Sequence, residues 1–75
     1  VYPNPADAYV DVRSPFSNNK PYRVELYNDR GRMVQGETGR EAVTRVDTKR
    51  LPAGLYHVQV RQGKNIERYN LSIQH

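Results

Sequence analysis

The last third of the chain alternates apolar and polar residues in two runs, which a short polar break separates. The apolar positions of the two runs are Tyr56, Val58, Val60, Tyr69, Leu71 and Ile73. A period of two residues is typical of a strand with one buried face. Because the break at residues 61–65 contains a glycine, the pattern predicts a β-hairpin whose second strand covers residues 67–73.

Shorter pieces of the same alternation predict further strands. We expect strands at residues 8–13, 22–27, 32–35 and 41–47, with loops at 14–21 and 36–39. A tight turn is expected at residues 28–31, where Gly31 supplies a positive φ. Val43 and Val46 are out of phase, which predicts a β-bulge. A brief extended piece at residues 1–3 and one helical turn at residues 48–51 complete a chain of six or seven strands.

Many short strands with frequent turns favour an all-β, immunoglobulin-like antiparallel β-sandwich over a small barrel. The spacing of Asp47, Leu51, Gly54 and Tyr56 matches a corner of such folds, in which a tyrosine hydroxyl bonds back to the preceding connection. An ordinary buried tyrosine is the alternative. Gly54 is predicted at a positive φ, and residues 1–75 are predicted to form a single domain.

Composition limits the classes of function. A chain of 75 residues without cysteine has a thin core and no disulfides to reinforce it. No apolar stretch is long enough to span a bilayer. The net charge is +4, but the twelve basic residues are spread along the chain among eight acidic ones, which argues against nucleic-acid binding. The start at a valine directly before a structured motif predicts a fragment of a longer secreted protein.

Catalytic and metal-binding patterns are weak. His57 and His75 have no serine, cysteine or paired carboxylate at a motif spacing, so we expect no catalytic residue, no metal site and no cofactor. Among the aspartates, Asp29 is expected to bond its own turn and Asp47 to cap the turn that follows it.

Outward-facing aromatics suggest one alternative function. Tyr22, Tyr56 and Tyr69 share faces with aliphatic residues, whereas Tyr9 and Tyr27 fall on polar faces. Two exposed tyrosines could form a sugar-stacking platform. A small carbohydrate-binding or adhesive immunoglobulin-like module of a secreted protein therefore stays open as an alternative.

Three elements in this order resemble the C-terminal sorting domain of type IX secreted bacterial proteins. The first element, Tyr2-Pro3-Asn4-Pro5, stands near the start of the chain. The second is a hydrophobic strand followed by the turn at Gly31 and a hydrophobic return strand, and the third is the segment from Asp47 to Tyr56. The resemblance covers nearly the whole chain and implies that these motif residues are mainly structural. They are Tyr2, Pro3, Asn4, Pro5, Gly31, Asp47, Leu51, Gly54 and Tyr56. Residues 70–75 contain no lysine or arginine, unlike many members, and Arg68 is the nearest.

The resemblance implies a non-enzymatic secretion signal at the C-terminus of an exported cargo. The implied partners are the outer-membrane translocon, a sortase that removes the signal when the cargo is anchored to the surface, and the cargo domain of the same chain. The implied route leads through the periplasm to the cell surface or the medium. Because alternation continues to the end of the chain, we predict that the translocon reads the edge and outward side chains of the last strand. The predicted recognition residues are Arg68, Asn70, Ser72, Gln74 and His75.

Overall fold

The chain folds into two antiparallel β-sheets that face each other, as the alternation predicts. The computed structural model describes residues 2, 4–16 and 20–75; Pro3 and part of the loop at 14–21 lie outside the described residues. The strands of the described chain are β1 (Tyr9–Arg13), β2 (Tyr22–Asn28), β3 (Met33–Gly39), β4 (Val43–Asp47), β5 (Gly54–Gln62) and β6 (Asn65–Ile73). One sheet pairs β1 with β4, and the other has the order β3-β2-β5-β6. The fold is all-β, and the predicted sandwich is confirmed.

The core lies between the two sheets and consists of the alternate residues that the pattern selected. Its buried members are Ala6, Val10, Val12, Tyr22, Val24, Leu26, Val46, Tyr56, Val58, Val60, Leu71 and Ile73. Phe16, Val34, Leu51 and Tyr69 pack against this cluster while staying partly exposed. The prediction that Tyr56, Val58, Leu71 and Ile73 are buried is therefore confirmed.

The β2–β3 hairpin closes through Asn28. Its side-chain oxygen accepts from the backbone N–H groups of Arg30 and Arg32, both at 3.0 Å. Gly31 has a φ of 80°, so the predicted positive backbone angle is confirmed. The hairpin carries a register shift between Leu26 and Tyr27.

Two expectations for the middle of the chain are wrong. Residues 36–39 are not a loop, because β3 continues to Gly39. The glycines provide room there: a Cβ on Gly39 would collide with the ring of Tyr22. The predicted bulge in the strand at 41–47 is also absent, because β1 and β4 pair in continuous register and Val43 simply points outward.

The corner between β4 and β5 forms as predicted. The Tyr56 hydroxyl donates to the carbonyl of Pro52 at 2.6 Å, and the tyrosine is only 6% exposed. Gly54 has a φ of 156°, a positive value that side chains disfavour. The helical turn at residues 48–51 is a single turn, closed by a bond from the Leu51 N–H to the Thr48 carbonyl. Asp47 accepts from the Lys49 N–H at 2.8 Å, so its capping role is confirmed.

The N-terminal segment connects the two sheets by pairing with a strand of each. Tyr2 and Asp11 exchange two backbone hydrogen bonds, which adds an extended residue beside β1. Further along, Ala6 lies parallel to Ile73 at the edge of β6. Its N–H donates to the Ser72 carbonyl and its carbonyl accepts from the Gln74 N–H, both at 2.8 Å. The start of the domain therefore borders the last strand of the larger sheet.

Candidate functional site

A shallow groove runs along the outer face of the four-stranded sheet, between β5 and β6. One part of it, about 370 Å³ in volume, is bordered by Leu55 and His57 of β5 and by Asn70 and Ser72 of β6. These side chains come together because Leu55 pairs with Ser72, and His57 with Asn70, across the hairpin. Leu55 is 70% exposed, which makes it the apolar end of the groove.

The groove continues towards Arg68. A neighbouring hollow of about 320 Å³ is lined by Tyr27, His57, Gln59 and Arg68. Arg68, Asn70 and Ser72 occupy alternate positions of β6, so their side chains follow one another along one wall. The structure thus brings three of the five predicted recognition residues together on one surface.

A chain of hydrogen bonds fixes the Arg68 end of this surface. The Nε of Arg68 donates to Oε1 of Gln59, and Nε2 of Gln59 donates to Oε1 of Glu25, both at 3.1 Å. Although they lie on the outer face, Gln59 and Glu25 are each only 8% exposed. The alternation predicts correctly that Gln59 points away from the core. It does not predict that neighbouring long side chains cover the Gln59 amide.

The edge of β6 is not free over its whole length, and the prediction of an available edge is wrong for its second half. The side-chain amide of Asn4 accepts from the Ser72 N–H at 3.0 Å and donates to the Asn70 carbonyl at 3.1 Å. Ala6 then bonds to Ser72 and Gln74. Asn4 therefore takes the place of a neighbouring strand, and its motif position has a specific structural role.

The first half of β6 stays open. Residues of an antiparallel edge strand direct their backbone groups alternately to the neighbour and outward. Ile66 and Arg68 are an even number of residues from Ser72, so their backbone groups point outward as those of Ser72 do. In the described part of the chain, no backbone hydrogen bond from outside the β5–β6 hairpin reaches Ile66 or Arg68. An open stretch of edge therefore adjoins the Arg68 end of the groove.

The other two predicted recognition residues follow β6 and are exposed. His75 folds back onto the N-terminal segment and the corner: its Nδ1 is 2.7 Å from the Asp7 carboxylate, and its Nε2 is 2.7 Å from the Leu51 carbonyl. The Asp7 hydrogen bond, reinforced by the bond to Leu51, raises the pKa of His75. Both partners accept hydrogen bonds, so the doubly protonated ring fits this position best. The ring of His75 thus joins the segment after β6 to Asp7 and to the corner, while the described contact of Gln74 is made by its backbone N–H.

The motif residues occupy structural positions. Gly31 forms the β2–β3 turn and Asn4 covers the edge of β6, while Asp47, Leu51, Gly54 and Tyr56 build the corner. Tyr2 is 74% exposed and acts through its backbone. Pro5 lies between Asn4 and Ala6, and Pro3 is outside the described residues.

The tyrosines that suggested a sugar platform lie on separate sheets. Tyr9 belongs to β1, and the guanidinium of Arg45 covers its ring at 3.9 Å from the centroid. Tyr27 belongs to β2, where its hydroxyl donates to Glu25 at 3.3 Å. The structure does not bring the two rings together.

His75 and Asp7 form a pair, but the described residues bring no third acidic or imidazole side chain to it. In the described part of the chain, no three of the residues His, Cys, Asp and Glu cluster in a way that could hold a metal ion. His57 is an exposed residue of the groove wall. Likewise, the described residues form no helix with the length and apolar character needed to cross a bilayer.

The described residues form a small β-sandwich with a structural corner and a polar groove on the outer face of its larger sheet. Comparison with known families identifies the family of the chain. A family model described as "Secretion system C-terminal sorting domain" matches residues 1–74. The chain belongs to this family, the type IX sorting domains, which implies a secreted or cell-surface protein that interacts with the type IX machinery. No curated protein matches the chain.

Proposed function

We propose that this domain is a non-catalytic secretion signal that the type IX outer-membrane translocon recognises at the groove along β5 and β6. In this proposal a cargo domain precedes it in the same chain and passes through the periplasm before it reaches the cell surface or the medium. The sortase of the system then removes the domain when the cargo is anchored. The observation that carries the proposal is the placement of Arg68, Asn70 and Ser72 on one groove wall.

The groove offers two kinds of contact to a partner. Along its wall, the Arg68 guanidinium, the Asn70 amide and the Ser72 hydroxyl provide hydrogen-bonding groups whose spacing the strand sets. Beside it, the open edge at Ile66 and Arg68 can pair with one short strand of a partner. The part of β6 that Asn4 and Ala6 cover takes part through its side chains only. Gln74 and His75 lie beyond this covered stretch and form a secondary contact region.

An export assay tests this proposal. A periplasmic reporter fused to residues 1–75 is expected to reach the cell surface or medium in a bacterium that has the type IX system. Changing Arg68, Asn70 and Ser72 together to glutamate should retain the reporter in the periplasm, because the change reverses the charge of the groove wall while the core residues stay in place.

The matched control changes Arg13, Ala42 and Val43 to glutamate. These residues are exposed on or beside the smaller sheet, and the change in charge is the same. Urea unfolding of both purified variants verifies that they are folded. Periplasmic retention of the intact fusion would refute the proposed signal, and normal export of the folded groove variant would refute the proposed site.

A further inference from the structure

Three arginines gather on the outer face of the larger sheet, and we call Arg23, Arg61 and Arg68 the arginine face. Arg23 and Arg61 lie directly opposite each other on β2 and β5. Like charges in such cross-strand positions repel each other. This arrangement is therefore one that a compensating anion would stabilise.

Among the described residues, one carboxylate, that of Glu25, pairs with this face, and it is insufficient for that compensation. Glu25 lies 3.7 Å from Nε of Arg23 and 3.4 Å from an Nη of Arg61. It also accepts from Gln59 and Tyr27, and its side chain is only 11% exposed. In the described part of the chain, the arginine face thus sets three guanidinium charges against one carboxylate, which leaves two positive charges uncompensated.

The guanidinium groups retain N–H donors beyond those that the described contacts use. Each guanidinium carries five N–H donors, and the described contacts of each use few of them. The side chains of Arg23 and Arg61 are each 47% exposed. Gly36 provides the space for Arg23, because a Cβ there would lie 2.6 Å from an Nη of that arginine. The Arg23 guanidinium therefore lies over Gly36, and the partly exposed guanidinium groups keep donors that a ligand can use.

We propose that the arginine face binds carboxylate side chains of an extended segment of the partner protein. The inference rests on the proposed function, because it specifies the chemistry of the partner at that site. The planar guanidinium fork matches a carboxylate in a bidentate geometry. Gln59, which pairs with Arg68, lies four residues along β5 from the apolar Leu55. In an extended strand, four residues span roughly 13 Å. The best partner segment therefore carries an acidic residue and, four residues away, an apolar one.

Binding to purified translocon tests this proposal. The reporter fused to residues 1–75 is titrated against the complex at increasing salt. The double variant Arg23→Gln and Arg61→Gln should bind at least tenfold more weakly and show a shallower salt dependence, because two charged contacts are lost. The control is Arg13→Gln with Arg50→Gln, which makes the same charge change at exposed positions on β1 and in the β4–β5 corner and should bind like the unchanged fusion.

Neither change touches Arg68, so this test separates the two proposals. If the unchanged fusion does not bind, the proposed function fails. If the fusion binds and the Arg23 and Arg61 variant binds equally well while folded, the carboxylate inference fails and the proposed function stands. Competition identifies the anion: hexaglutamate should displace the fusion more effectively than inorganic polyphosphate of equal charge. The reverse order would overturn carboxylate recognition in favour of a phosphate-bearing partner.

Discussion

Replacing Tyr56 should separate the two contributions of the corner to stability. The change Tyr56→Phe removes only the hydroxyl that donates to Pro52 at 2.6 Å. Because Pro52 is exposed, water can hydrate its carbonyl after the change, and we expect a loss of about 1 kcal/mol. The change Tyr56→Ala also removes a ring that is 6% exposed, which should cost about 3–4 kcal/mol. A domain of this size has a free energy of unfolding of about 4–11 kcal/mol, so the alanine variant should lose between about a quarter and nearly all of its stability.

Urea denaturation followed by circular dichroism measures both losses. With a urea dependence of about 1 kcal/mol per molar, the phenylalanine variant should unfold at a urea concentration about 1 M lower and the alanine variant about 3 M lower. Tyr9→Phe is the control, because the ring of Tyr9 stacks on Arg45 without its hydroxyl, and its midpoint should stay nearly unchanged. A loss under about 1 kcal/mol for Tyr56→Ala, or none for Tyr56→Phe, would contradict the assigned role of the corner.

Three further predictions concern the edges and close contacts of the fold. Asn4→Ala should destabilise the domain by roughly 1–2 kcal/mol and accelerate hydrogen exchange at the Ser72 N–H, whereas Asn4→Asp, which keeps the acceptor, should preserve more protection at that group. Because the pKa of His75 is raised, the protonated ring stabilises the fold fully at a pH below the ordinary histidine pKa, and this contribution is lost as the pH rises through the raised pKa. In Asp7→Asn, nuclear magnetic resonance titration should show the pKa of His75 falling towards the ordinary histidine pKa. Gly39→Ala should cost roughly 1–3 kcal/mol in urea unfolding because its Cβ meets the Tyr22 ring, while Gly36→Ala should cost less, since it meets the flexible end of Arg23; equal losses would contradict this argument.

The hairpins and the corner could be predicted because their signals are local. Alternation identifies the buried side of β5 and β6, and Gly31, Gly54 and Tyr56 mark turn and corner positions within a few residues. The full length of β3 could not be predicted in this way. Gly36 and Gly39 resemble a loop in sequence, and only the packing of Arg23 and Tyr22 shows that they provide space within a strand.

The site was only partly predictable for a different reason. Alternation places Arg68, Asn70 and Ser72 on one face, and this much is confirmed by the structure. The cover that Asn4 provides over the edge of β6 joins residues 66 and 68 positions apart in the chain, and a side-chain amide that replaces a strand has no periodic pattern. The arginine face likewise depends on register across β2, β5 and β6, which the chain does not display locally.

The parallel contact of Ala6 with β6 also determines how the domain responds to mechanical force. When the two ends of the chain are pulled apart, the segment at Ala6 and the strand β6 are drawn in opposite directions past each other. The bonds of Ala6 and Asn4 to residues 70–74 are then loaded together in shear, and they must break together. A hairpin pulled open from its free ends would instead lose its bonds one after another at lower force. Tension applied through the ends of the chain therefore meets one of the more resistant contacts of the fold, and the domain is expected to stay folded under a pull that would unzip a simple hairpin.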